Sequence, residues 1–184
     1  MIYLKTDEEI ELMRVANQLV GKTLGELAKH VAPGVTTLQL DKIAEEFIRD
    51  NGATPAFLGY GGFPNSICAS VNDHVVHGIP SSEVVLRDGD IISIDCGTHI
   101  NGFTGDSAYT FCVGEVSPEV RHLLKTTKES LYKGIEAAVD GIERQRLNLN
   151  ARQLQRFILH GIGMADIQHD LPRQGLTHFF HLHI

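Results

Sequence analysis

Two β-forming runs joined by Asn101-Gly102 limit the fold of this chain more than any other feature. The first is Asp90-Ile-Ile-Ser-Ile-Asp-Cys-Gly97 and the second is Phe103-Thr-Gly-Asp-Ser-Ala-Tyr-Thr-Phe-Cys-Val113. Asn-Gly is the strongest short-range mark of a type I′ hairpin turn, which needs positive φ at both central positions. That turn sets Ile100 against Phe103, Cys96 against Ser107, Ile94 against Tyr109 and Ile92 against Phe111. The set is largely apolar, so it is the core face. The opposite face then pairs Asp95 with Ala108 and Gly97 with Asp106. Asp95 and Asp106 become diagonal neighbours, with Cα atoms roughly 7–8 Å apart.

The residues around this pair (Ser93, Gly97, Ala108, Thr110) are small, and neither strand carries a Lys or Arg. Two carboxylates so placed repel each other unless a cation lies between them, and divalent metal is the obvious cation. Aspartates can also simply be wet residues on the solvent side of an antiparallel sheet. The hairpin by itself supports either reading.

At 184 residues the chain fits one domain. A net charge of −7 argues against nucleic acid or an anionic membrane as the main partner. Cys68, Cys96 and Cys112 show no CxxC spacing, and each falls in a strand-like run. They read as reduced core thiols, which suits a cytoplasmic protein. No signal-peptide pattern and no apolar run of membrane-spanning length is present in the sequence.

The pattern along the chain is helix, helix, hairpin, hairpin, helix, an α+β layout with helices against an antiparallel sheet. The first helix covers about 6–30, with Thr6 and Glu9 at capping-box spacing and a stripe through Ile10, Met13, Leu19, Val20, Leu24 and Leu27. The second starts near Thr37, carries Leu40, Ile43 and Phe47 on one face, and stops at Asn51-Gly52. A glycine-rich loop, Gly59–Pro64, precedes a further hairpin of Ser66–Val71 and His74–Ile79, in which Cys68 faces His77. A third helix begins at Ser117-Pro118-Glu119 and runs to about Val139.

Composition shifts near Asp140-Gly141. All seven lysines precede it, five of the seven glutamines follow it, and Glu143 is the last glutamate. Two domains of reading result: residues 1–140, and a divergent tail, 141–184. The tail reads either as a solvated basic segment or as residues that entered after a frame change or truncation, since poor local consistency argues against foldability.

Three strings now stand in one order: GGFPNSICASVNDHVVHGIP, LRDGDIISIDCG and NGFTGDSAYTFCVGEV. Through them, residues 1–140 resemble the N-terminal half of a type I methionine aminopeptidase. The resemblance implies the pita-bread α+β fold, here with an incomplete second half. It also implies removal of the initiator methionine from new polypeptides at a centre of up to two divalent ions (Co, Mn, Fe or Zn). Asp95 and Asp106 match the family's aspartate ligands, Asp106 as the bridging one. His77 matches its substrate-contacting, catalytic histidine. Tyr60, Phe63 and Cys68 match positions that line or support the methionine pocket. The implied partners are nascent polypeptide N-termini at the ribosome, met by a monomeric, cytoplasmic, membrane-free enzyme.

Further along, His160-Gly-Ile-Gly163 matches the string that carries the family's histidine ligand, after a shorter spacer than the family has. His169-Asp-Leu-Pro172 echoes a second substrate-binding histidine, displaced by two positions. The family's two glutamate ligands have no counterpart. The resemblance therefore implies an aminopeptidase by descent whose own turnover is low, and whose hairpin face (Ile92, Ile94, Tyr109, Phe111) is partly uncovered. Two other functions compete with it. One is a non-catalytic module that grips peptide N-termini; the other is a two-metal phosphoesterase, which lacks a basic cluster near the hairpins.

Overall fold

Thr6 starts the first helix with a reciprocal pair of bonds. Its hydroxyl accepts from Glu9 N at 3.2 Å while the Glu9 carboxylate accepts from Thr6 N at 2.9 Å. This capping box opens α1 (Asp7–Leu27). The computed structural model describes residues 4–137, which fall into two compact units, 4–116 and 117–137. In the first unit α1 is followed by α2 (Thr37–Asp50), β1 (Thr54–Pro55), β2 (Ile67–Val71), β3 (Ile91–Ile100) and β4 (Phe103–Cys112). A second capping box, Thr36 with Gln39, opens α2. The second unit contributes α3 (Pro118–Ala137), where the Ser117 hydroxyl accepts from Val120 N as an N-cap.

The sheet is antiparallel throughout, with β3 at its centre. Strand β4 runs along one side of β3 for its full length. On the other side β2 pairs with Ile92–Cys96, and the two residues of β1 pair with Thr98 and His99. The register of β3 on β4 agrees with the sequence reading at every pair, from Ile92 with Phe111 to Ile100 with Phe103. Asn101 and Gly102 both hold positive φ, 54° and 81°, as the type I′ turn requires.

Helix α1 crosses the core face of this hairpin. Thr98 donates its hydroxyl to Ala16 O at 2.9 Å, and its partner Gly105 lies directly under the helix backbone. A Cβ on Gly105 would stand 2.5 Å from the Ala16 carbonyl carbon, so only glycine lets the helix approach so closely. Leu19, Val20, Leu24 and Leu27 of the predicted stripe are buried, as are Leu40 of α2 and Ile92, Ile94 and Cys96 of β3. Ile10 falls outside the core, 42% exposed.

The hairpin's apolar face is covered on one strand and open on the other. Ile92 and Ile94 are fully buried, whereas Tyr109 is 48% exposed. Tyr109 and Phe111 meet as tilted rings with centroids 4.8 Å apart and, with Gly21, Leu24, Gly25 and Ala28 of α1, line an open apolar groove of about 490 Å³.

The predicted strand His74–Ile79 does not form; those residues are irregular. Asn72 takes positive φ but Asp73 does not, so Asn72-Asp73 cannot make the type I′ turn. The Asn72 side chain instead donates to Asp90 and accepts from Ile91 N, which ties it to the start of β3. The returning chain bulges outward, with Val75 72% and Val76 58% exposed. It regains β2 two residues late, where Ala69 N donates to Gly78 O at 2.8 Å. The facing of Cys68 with His77 expected from a tight hairpin is therefore replaced by a contact of Ala69 with Gly78.

Candidate functional site

Three strands present one polar face. Asp95 on β3 pairs with Cys68 of β2 on one side and with Ala108 of β4 on the other. Gly97 pairs with Asp106, so the two aspartates are diagonal neighbours on the same face. Ser93 and Thr110 continue that face with a hydroxyl–hydroxyl bond of 2.8 Å. The hairpin register alone produces this arrangement, because side chains alternate with a period of two.

The Cys68 thiol reports both charges. Burial pushes it up to about 11, and the Asp95 and Asp106 carboxylates add to the rise. Cys96, on the core side of β3, is pushed to about 12 by burial and then by the same two carboxylates. Both thiols are therefore protonated at neutral pH. Cys68 is thus a small, uncharged neighbour of the aspartates.

Gly97 leaves room for an aromatic ring on the aspartate side. A Cβ there would stand 2.7 Å from Phe57 Cε1 and 2.9 Å from Ala56 Cβ. Phe57 thus lies against the strand beside the register position of Asp106, held by Ala56 N donating to Gly97 O at 3.0 Å. Sequence reasoning weighed Tyr60 and Phe63 and missed Phe57. The usable signal was Gly97 itself, since a glycine inside a strand marks a close approach.

The loop holding Tyr60 and Phe63 is closed by Gly59 N donating to Phe63 O at 2.8 Å and by Phe63 N donating to Tyr60 O. Three of its glycines, Gly59, Gly61 and Gly62, have positive φ. Tyr60 is 81% exposed and Phe63 half-buried. His77 is exposed on the bulged loop with φ of 57°, an uncommon conformation for a side-chain-bearing residue. Its neighbour Gly78 anchors it, donating to Ser70 Oγ at 3.0 Å on the strand that carries Cys68. His160 and His169 lie outside the described residues, as does the tail 141–184.

A divalent ion fits part of this donor set. Carboxylate oxygens are hard ligands suited to such ions, and Asp95 and Asp106 stand on one face as diagonal neighbours. Among the described residues no group of three or more His, Cys, Asp or Glu could hold a metal. The hairpin offers two carboxylates as candidate ligands, and the described residues show no third beside them.

The order of loop, β2 and aspartate hairpin can now be set beside known proteins. The profile of metallopeptidase family M24 matches residues 11–180. The chain belongs to this family. It is 52% identical over 158 residues to the methionine aminopeptidase of Clostridium acetobutylicum, covering 86% of this chain and 62% of that one. It is 46% identical over 186 residues to methionine aminopeptidase 1 of Bacillus subtilis, covering 95% of this chain and 74% of that relative. In three dimensions it superposes on the crystal structure of the Rickettsia prowazekii methionine aminopeptidase with a TM-score of 0.72 and 39% identity. That superposition covers 73% of this chain and 54% of the rickettsial one. The chain thus corresponds to the N-terminal portion of a type I methionine aminopeptidase, with the pita-bread fold, and spans about 62% of the clostridial relative's length. M24 metallopeptidases work with divalent metal. No helix among the described residues is long and apolar enough to cross a membrane.

Proposed function

We propose that the Asp95/Asp106 face is the half-site of a metal-dependent methionine aminopeptidase that acts on the N-termini of nascent polypeptides. The observation that carries this reading is the diagonal placement of two carboxylates on one face of β3 and β4. Asp95 and Asp106 would hold the divalent ion (Co, Mn, Fe or Zn), with His160 as a further ligand. When bound, such an ion polarises a peptide carbonyl and lowers the pKa of a coordinated water.

The chain's own residues do the positioning. His77, exposed on the bulged loop, would hydrogen-bond the substrate backbone near the scissile peptide. Phe57, Tyr60, Phe63 and Cys68 supply the apolar and small surfaces that a methionine side chain requires. His169 would add a second peptide contact. The proposed setting is a cytoplasmic monomer working near the ribosome.

The lack of a third ligand among the described residues favours a second reading, a module that grips peptide N-termini without cleaving them. Calorimetric titration with Mn²⁺ separates the two. The metal reading expects at least one ion per chain, and Asp95→Asn or Asp106→Asn weakens it by about tenfold or more. Wild-type and variant chains that bind Mn²⁺ equally weakly would refute it.

A further inference from the structure

Asp41 is a carboxylate that the proposed chemistry leaves unused, yet it is only 4% exposed. It sits in the second turn of α2. Its Oδ1 accepts from Ser66 N at 2.8 Å and Ile67 N at 3.1 Å, and its Oδ2 accepts from Asn65 Nδ2 at 2.7 Å. A carboxylate is costly to bury unless donors fill its oxygens, and here both oxygens are filled. All three donors belong to consecutive residues leading into β2. Ile67, the last of them, pairs with Cys96, and the next residue, Cys68, pairs with Asp95.

The consequence is geometric. Position 66 has no ladder partner on β3, so between β1 and Ile67 no ladder pair fixes residues 57–66. The backbone bonds of the glycine-rich loop before it, Gly59 N to Phe63 O and Phe63 N to Tyr60 O, close the loop on itself and not onto the strand. The Asp41 carboxylate is what clamps the junction between that loop and the strand.

We infer that Asp41 is a positioning residue of the Asp95/Asp106 site: it clamps the start of β2 to α2 and so sets Cys68 beside Asp95. It works through its acceptor oxygens rather than through its charge. This deepens the metal-site reading and rests on it only where metal affinity is measured.

The test compares alkylation rates of Cys68 and Cys96, read by peptide mass spectrometry on the native 184-residue chain, with Mn²⁺ affinity measured in parallel. A residue that served only overall stability would loosen both thiols alike. Asp41→Ala is expected to raise Cys68 labelling about tenfold or more while Cys96 changes less than about twofold, and to weaken Mn²⁺ about tenfold. Asp41→Asn keeps an acceptor for both backbone N–H groups, so it should stay within about threefold of wild type on both readouts. An unchanged Cys68 rate in the alanine variant, or equal rises at Cys68 and Cys96, would overturn the inference. So would an asparagine variant that behaves like alanine. If the alanine variant shows no cooperative thermal transition, Asn65→Ala removes one donor and leaves the two backbone bonds. A selective Cys68 rise of about threefold then supports the clamp, and an equal or absent rise overturns it. If wild-type chain binds no Mn²⁺, the metal reading falls while the thiol ratios still judge Asp41.

Discussion

Cys68 and Asp95 are direct cross-strand partners, and the thiol is held protonated by burial and by the carboxylates of Asp95 and Asp106. The pairing places an uncharged, compact side chain against one aspartate while the other occupies the diagonal position. It also links the stability of the sheet to alkaline pH.

The folded chain favours neutral thiols, with Cys68 raised to about 11 and Cys96 to about 12 from an ordinary value of 9.0. A raised folded-state pKa contributes stability that is fully present below the unfolded value. It is lost as pH rises through the folded value. Urea midpoints should therefore show no thiol-linked change from pH 7 to 9 and decline between pH 9 and 12. Cys68→Ala should flatten the lower part of that decline. In Asp95→Asn the Cys68 thiol should move down but stay above its ordinary value, because burial is the larger cause. An identical pH profile for wild type and Cys68→Ala would contradict the assignment.

Glycine substitutions should split by what their Cβ meets. Gly105→Ala drives a methyl into the backbone of α1 at Ala16 and Asn17, which no side-chain rotation can relieve. We expect a loss of about 2–3 kcal/mol, as for overpacking of a core contact. Gly21 and Gly25 lie on the exposed side of α1 with nothing within 4 Å of an added Cβ. Each alanine there should stabilise the chain by about 0.5–1 kcal/mol through helix propensity and a less flexible unfolded state. Chemical denaturation of the three variants checks both signs.

How far the sequence carried the structure depends on whether local chemistry or tertiary contact decided each element. Asn101-Gly102 fixed its own turn, and through it the register of ten strand pairs and the shared face of Asp95 and Asp106. The capping boxes are equally local, Thr6 with Glu9 and Thr36 with Gln39 each standing three residues apart. Asn72-Asp73 looked like a second hairpin turn because the dipeptide resembles Asn-Gly. Without the glycine its second residue stays at negative φ, and the Asn72 side chain finds Asp90 instead. Phe57 and Asp41 were invisible for a different reason. Each acts on residues far along the chain, Gly97 and Asn65–Ile67, and no local periodicity encodes such a contact.

Ser66 offers a simple stability test beside the Asp41 clamp. Its backbone N–H is bound by Asp41, but its hydroxyl is fully buried and has no hydrogen-bond partner among the described residues. An unsatisfied buried hydroxyl is destabilising, so removing it should help. Ser66→Ala is expected to be neutral or stabilising by up to about 1 kcal/mol in urea unfolding, with Cys68 labelling unchanged. A loss of more than about 1 kcal/mol would mean that the hydroxyl makes a bond beyond the described residues.

Catalysis by the 184-residue polypeptide should be low, because its charge balance is short of what a dinuclear centre needs. Asp95 and Asp106 contribute two negative charges, whereas two dications bring four positive ones. His160 can add a neutral ligand but no charge. Glu143 is the last glutamate, and the described residues hold no third acidic or histidine ligand near the pair. A weakly ligated ion exchanges readily and cannot keep an activated water oriented toward a peptide carbonyl. With Met-Ala-Ser as substrate and added Co²⁺ or Mn²⁺, methionine release should therefore fall well below an ordinary enzymatic turnover of about 1 per second. Asp106→Asn should abolish whatever release remains, since it removes one of two charges, while leaving the unfolding free energy in urea within about 0.5 kcal/mol of wild type. Release at an ordinary turnover from the purified chain, lost in Asp106→Asn, would show that residues beyond the hairpin complete the centre and that the charge argument is wrong.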